Sequence, residues 1–231
     1  MKLRCVRSLA GSAALLLLLG TAGCGGLLPK PPVAPTFYTL DDAPSAGGSA
    51  TQRPPATTGS RPTLAVHLPQ AAAGYDSTRI VYTREAQRLD TYANSVWIDT
   101  PAQMLAPMMV AAIESTGAFQ AVVGTPSAAR ADIELDTQIL RLQQDFSGTP
   151  SRVRFTLRAS LIDSTTRRVL ASEQFDAVAD SPSEDARGGV VAAHAAVRSV
   201  LTQLSALCSD AGARWKAAND DKKAERNSVR P

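Results

Sequence analysis

The chain has 231 residues, 44% of them hydrophobic and 19% charged, a composition that supports a folded core and excludes a wholly disordered or collagen-like chain. That length fits one domain with appendages. The formal charge of +3 comes down to Lys2, Arg4 and Arg7: without the first 23 residues, the 24 basic residues fall level with the 21 acidic ones. A neutral domain lacks the basic field that nonspecific nucleic-acid binding requires, so no nucleic acid is expected as a partner.

Met1–Gly23 has the layout of a secretory signal: a positive start, an apolar run over Leu9–Leu19, then Gly20-Thr21-Ala22-Gly23 before Cys24. The run is too short to span a bilayer of roughly 30 Å. Thr21-Ala22-Gly23-Cys24 resembles the bacterial lipobox, in which small residues precede a Cys that becomes acylated; Thr21 stands where Leu is usual. The alternative is a plain signal peptide cleaved nearby, with Cys24 incidental. On the lipobox reading Cys24 is a lipid anchor carrying diacylglycerol and an N-acyl chain (palmitate), and no other cofactor is expected. Each buried CH₂ contributes about 0.8 kcal/mol, so several chains together anchor stably. By similarity to Gram-negative lipoproteins, Gly25 is compatible with sorting to the outer membrane. Cys5 is lost with the signal, so only Cys208 remains and no intramolecular disulfide is possible. Cys208 is either an exposed thiol or a small buried hydrophobe late in a helix; burial is the expectation.

Residues 24–62 read as a Pro/Gly/Ser-rich tether. Gly25–Pro35 is extended, Thr36–Leu40 is a short β-prone run, and Asp41–Pro62 is a flexible insertion. The core is expected over 63–209. Thr63–Leu68 alternates with Leu64, Val66 and Leu68 on one face, and Arg79–Thr83 and Tyr92–Ile98 predict a strand pair around a charged turn. Thr100-Pro101-Ala102-Gln103 is a capping box with Pro at the first helical position. It predicts a helix to about Thr116, stopped at Gly117, with Met104, Leu105, Met108, Ala112 and Ile113 on one face. Phe119–Val123 predicts a short strand. Asp132–Leu142 alternates until Leu140 and Leu142 switch face, which predicts a bulge. Val153–Leu161 follows after a Ser147–Pro150 hairpin loop, and Arg168–Val178 is the last strand. Ser181-Pro182-Ser183-Glu184 reads as a second capping box, before a stripe of Val190, His194, Val197, Leu201, Leu204 and Cys208. Residues 210–231 lack an apolar face and read as a charged, disordered tail. The fold class is α+β: a two-layer arrangement with a mostly antiparallel sheet and two amphipathic helices packed on one face.

Little in this sequence points to catalysis. The two histidines, His67 and His194, lie far apart, and nucleophile-elbow, zinc, P-loop and dinucleotide motifs are missing. No metal site is expected. Asp132, Glu134 and Asp136 fall on one strand face rather than around an ion-wrapping loop. The row Arg152, Arg154 and Arg158 is expected to pair with those acids, the alternative being a grip on lipid phosphates. Tyr75, Tyr82, Tyr92 and Trp97 stand out in a chain with only 5% aromatics. They are either cross-strand packing or an exposed patch for a partner or an acyl chain, and they are the interaction candidates.

The progression Tyr75-Asp76-Ser77-Thr78-Arg79-Ile80-Val81-Tyr82-Thr83-Arg84, then Tyr92-Ala93-Asn94-Ser95-Val96-Trp97, then Pro101 and an apolar helix ending at Gly117-Ala118-Phe119, carries a resemblance. Together with Phe37-Tyr38-Thr39-Leu40 it resembles the ABC-type transport auxiliary lipoprotein family, whose PqiC-like members accompany MCE lipid transporters. The resemblance covers most of Cys24 to about Cys208. It implies a non-enzymatic lipoprotein on the periplasmic face of the outer membrane. The implied partners are an MCE-domain periplasmic protein and an inner-membrane ABC permease and ATPase, with a homo-oligomer as a further option. The implied task is moving phospholipid or another hydrophobic molecule between the membranes. The alternatives are an outer-membrane assembly lipoprotein paired with a β-barrel and, in another class, a periplasmic lipid hydrolase, for which Ser199 near His194 is the one close nucleophile–base pair in sequence.

Overall fold

The computed structural model describes residues 33–40 and 61–228. The expected signal peptide, Cys24, the start of the tether and residues 41–60 of the insertion lie outside the described residues. The chain forms a compact body from Pro35 onward.

The described strands are β1 (Thr36–Tyr38), β2 (Thr63–Val66), β3 (Gln70–Ala71), β4 (Arg79–Thr83), β5 (Asp90–Trp97), β6 (Ala121–Gly124), β7 (Ile133–Asp145), β8 (Arg152–Asp163) and β9 (Val169–Asp180). The helices are α1 (Pro101–Glu114) and α2 (Ala186–Ser228). The α+β expectation holds: one open, mixed sheet carries both helices on one face.

β7 organises the sheet. Along one flank it pairs antiparallel with β8, and β8 pairs antiparallel with β9. Along the other flank lie three short parallel partners in succession: β2 at Ile133–Leu135, β3 at Gln138–Ile139 and β4 at Gln144–Asp145. β6 extends the sheet beyond β2, while β5 and then β1 extend it beyond β4. The bulge anticipated from the face switch sits between Ile139 and Arg141. It keeps Leu142 on the buried face and turns Gln144 inward behind it, where only 2% of that side chain's residue surface is exposed.

α1 begins as its sequence dictates. Thr100 takes an extended N-cap conformation and its hydroxyl accepts from the Gln103 amide at 3.4 Å, with Pro101 opening the helix. Gly117, at φ +66°, supplies the left-handed residue that ends it. Ala102, Leu105, Met109 and Ile113 are its fully buried residues, and Met104, Met108 and Ala112 flank them. The buried line is thus turned slightly from the expected one. In α2, Val190, Val197, Leu201, Leu204 and Cys208 all face the sheet as the stripe predicts, joined by Ala193, Ala196 and Val200. α2 is long and apolar enough to cross a membrane, but half of that stretch is buried within the domain, which makes it a core helix here.

Five expectations need correction. β2 stops at Val66, and Leu68 is exposed because the ladder ends with the His67 amide on the Leu135 carbonyl. Phe119 precedes its strand; it is buried, with its ring at the distance of close contact from where a Cβ on Gly212 of α2 would stand. Residues 36–40 belong to the folded body: β1 is an edge strand on β5, and Leu40 is 1% exposed. Ser181 is not the cap of α2. Its amide continues the β8–β9 ladder onto the Ser151 carbonyl, and Asp185 caps the helix by accepting from the Gly188 amide at 2.8 Å. Finally, α2 runs to Ser228. Ala211 is buried and the Trp215 indole donates to Asp163 at 2.9 Å, so tertiary contacts carry the helix past the boundary drawn at 209.

Candidate interaction surface at one end of the sheet

The four aromatic candidates do not form one patch. Trp97 and Tyr75 are buried, at 4% and 8% exposure, and belong to the core. The Tyr75 hydroxyl donates to Gln143, and burial raises its phenol pKa against the lowering effect of Arg141. Tyr82 and Tyr92 are half-buried neighbours where β4 ends and β5 begins, with ring centroids 4.8 Å apart. Phe146, just beyond β7, packs edge-on against Tyr82 at 5.8 Å. Exposed Arg84 lays its guanidinium over both rings, 5.4 Å from Tyr82 and 5.5 Å from Phe146. A local reading pairs Tyr82 with Tyr92, but Phe146 joins them only because β4 and β7 are parallel in register Tyr82–Gln144.

Gln144 ties this cluster to the core. Its Oε1 accepts from the Tyr92 hydroxyl at 2.8 Å, and its Nε2 donates to Ser151 and Ser181 at 2.9 and 3.3 Å. Gly189 of α2 lies so close that a Cβ there would stand 2.2 Å from Gln144 Oε1. Gly189 therefore marks a close approach of helix to sheet, and Gly188 a close approach to Ser183 in the β9–α2 junction, not mere helix weakness. Glu184 accepts from the Ser151 amide at 2.9 Å, closing the network across the β9–α2 junction. Burial, and next the Asp185 carboxylate, push the Tyr92 phenol up to about 12.

The charged residues singled out on the open face are each engaged locally. Asp132 accepts from the Thr63 amide, Glu134 pairs with Arg167 at 2.7 Å, and Asp136 lies 2.6 Å from His67. The arginine row does not pair with these acids. The register sets Asp136 against Ser160 and Glu134 against Ile162, so Arg152 and Arg154 turn to Asp180 and Asp176 of β9, while Arg158 donates to Gln174. Among the described residues no group of three or more His, Cys, Asp or Glu is placed to hold a metal ion. His194 Nε2 lies 2.8 Å from the Thr39 carbonyl, which fastens the segment after β1 to α2. Cys208 is buried, and burial pushes its thiol up to about 12, which makes it inert.

The family profile described as ABC-type transport auxiliary lipoprotein component matches residues 38–205, from the end of β1 through the first half of α2. The chain belongs to that family. The auxiliary lipoprotein is also similar to a crystal structure of a Xanthomonas campestris protein, at 26% identity and a TM-score of 0.62, covering 78% of this chain and 95% of that one. A second crystal structure, of an uncharacterized protein, shares the fold at 13% identity and a TM-score of 0.56, covering 77% of this chain and 98% of that one. No curated protein matches the chain.

Proposed function

We propose that this auxiliary lipoprotein is held by acylated Cys24 on the periplasmic face of the outer membrane and serves an MCE-type ABC transporter by docking, not by catalysis. The observation that carries the reading is the family match over the folded body, which names a transport accessory and a lipoprotein. The Thr21–Cys24 lipobox and the Gly25 that follows it support the anchor and its destination. The cargo is phospholipid or another hydrophobic molecule passing between inner and outer membranes. The partners are a periplasm-spanning MCE-domain protein and, through it, the permease and ATPase; a homo-oligomer is compatible with the same role.

Anchoring explains how a formally neutral domain contributes by docking. Confinement to the membrane surface raises the effective concentration of partner contacts without adding contact energy. Replacing Cys24 with Ala tests the mechanism: the domain should keep its fold and thermal unfolding profile, leave the membrane fraction and lose function. Full transport activity from the unanchored protein contradicts it.

A further inference from the structure

The sheet end that holds the Tyr82–Tyr92–Phe146 cluster is also the end from which the chain arrives. β1 runs parallel to β5, with Thr36 opposite Ser95, so the chain preceding Thr36 approaches from the side of Asn94, Ala93 and Tyr92. Thr36 lies twelve residues after Cys24, a reach of at most about 40 Å fully extended. The β4–β5 turn protrudes at this same end and carries exposed Arg84, Arg88 and Leu89, the last 48% exposed. The β8–β9 turn and Trp215 lie at the opposite end.

The chemistry of this end suits a lipid headgroup layer. A Tyr ring with its polar hydroxyl, a Phe ring beside it and an arginine whose guanidinium lies over both are side chains that suit a membrane–water boundary. The named acids outnumber the arginines, five to two, and each acid has a local partner. Arg88 is paired with Glu85 and Asp90, Asp185 caps α2, Glu184 holds the Ser151 amide and Asp145 holds the Ser147 amide. Arg84 is held over the rings. A surface of this kind matches zwitterionic phospholipid better than a strongly anionic layer.

We propose that this end of the domain rests on the bilayer holding its own anchor, with Tyr82, Phe146 and Leu89 in the headgroup layer and Arg84 reaching the phosphates. The proposal rests on the Cys24 reading above. Because the anchor confines the domain, a contact too weak to hold a free protein is enough to fix its orientation. The turn at Asp163–Arg167 and the end of α2 then face away from the membrane, toward a partner.

The test uses the full acylated protein in phosphatidylethanolamine–phosphatidylcholine vesicles. An environment-sensitive fluorophore is placed on Leu89→Cys or, at the other end, on Thr165→Cys; buried Cys208 stays unlabelled in the native protein. The probe at 89 should shift to the blue and be quenched severalfold more by brominated lipid than the probe at 165, unchanged by high salt. Equal quenching at both sites, or stronger quenching at 165, on protein that floats with the vesicles overturns the proposal and leaves the anchor intact. Protein that fails to float overturns the anchor and the proposal with it. In a Tyr82→Ala, Phe146→Ala variant that still floats, quenching at 89 should fall; unchanged quenching there also overturns the proposal.

Discussion

Gln144 shows how much one side chain can decide. It is a buried amide whose acceptor serves Tyr92 and whose donor serves Ser151 and Ser181. An amide of this kind is tolerated only when its partners stay in place. Gly189→Ala places a methyl group on Gln144 Oε1 and should cost about 1–3 kcal/mol, read as a lowered urea midpoint at unchanged slope. An unchanged midpoint would mean that helix and sheet are not in tight contact there. Asp185 offers a pH-resolved prediction. The Gly188 amide and then the Ser183 hydroxyl hold its carboxyl below the usual range, so its folded pKa is below its unfolded one. Its contribution is present above the unfolded pKa near 4 and is lost as pH falls through the folded value. Asp185→Ala should therefore cost about 1 kcal/mol at neutral pH and progressively less as pH falls below the unfolded pKa, in urea melts run across pH.

Among the elements, the long periodic ones were legible and the short ones were not. β7, β8 and their bulge follow from alternation that switches phase at Leu140, and α1 follows from Thr100-Pro101 and Gly117. β3, two residues long, has no periodicity to read. The parallel partners along β7 are chosen by tertiary packing, which is why Phe146 escaped notice beside Tyr82; the antiparallel register sets Arg154 opposite Gln143 of β7, so it meets Asp176 of β9 instead of an acid on β7. Ser181-Pro182-Ser183-Glu184 has the letters of a capping box, yet its polar groups hold Ser151 and Gln144, and the next acid caps the helix. The short β1 run looked like part of a tether because twenty residues rich in Gly, Ser, Thr, Pro and Ala separate it from Arg61; only the fold reveals Leu40 in the core. Leu40→Ala should cost about 2–5 kcal/mol, against almost nothing for ending the chain after Asn219, where α2 has left the sheet; equal losses in thermal unfolding would refute this division.

For the whole molecule, the described domain is packed around one face of the sheet. His194 lies against the Thr39 carbonyl, and the carboxylates of β7 are engaged one by one with local partners. The family match supplies the coarse role, an auxiliary lipoprotein of ABC-type transport. The most direct test of the docking account is a crosslink in living cells on the native lipoprotein, followed by detergent extraction and mass spectrometry of bound protein and lipid. The account predicts recovery of an MCE-domain protein that depends on Cys24; recovery of a β-barrel protein instead, or of no partner at all, would contradict it.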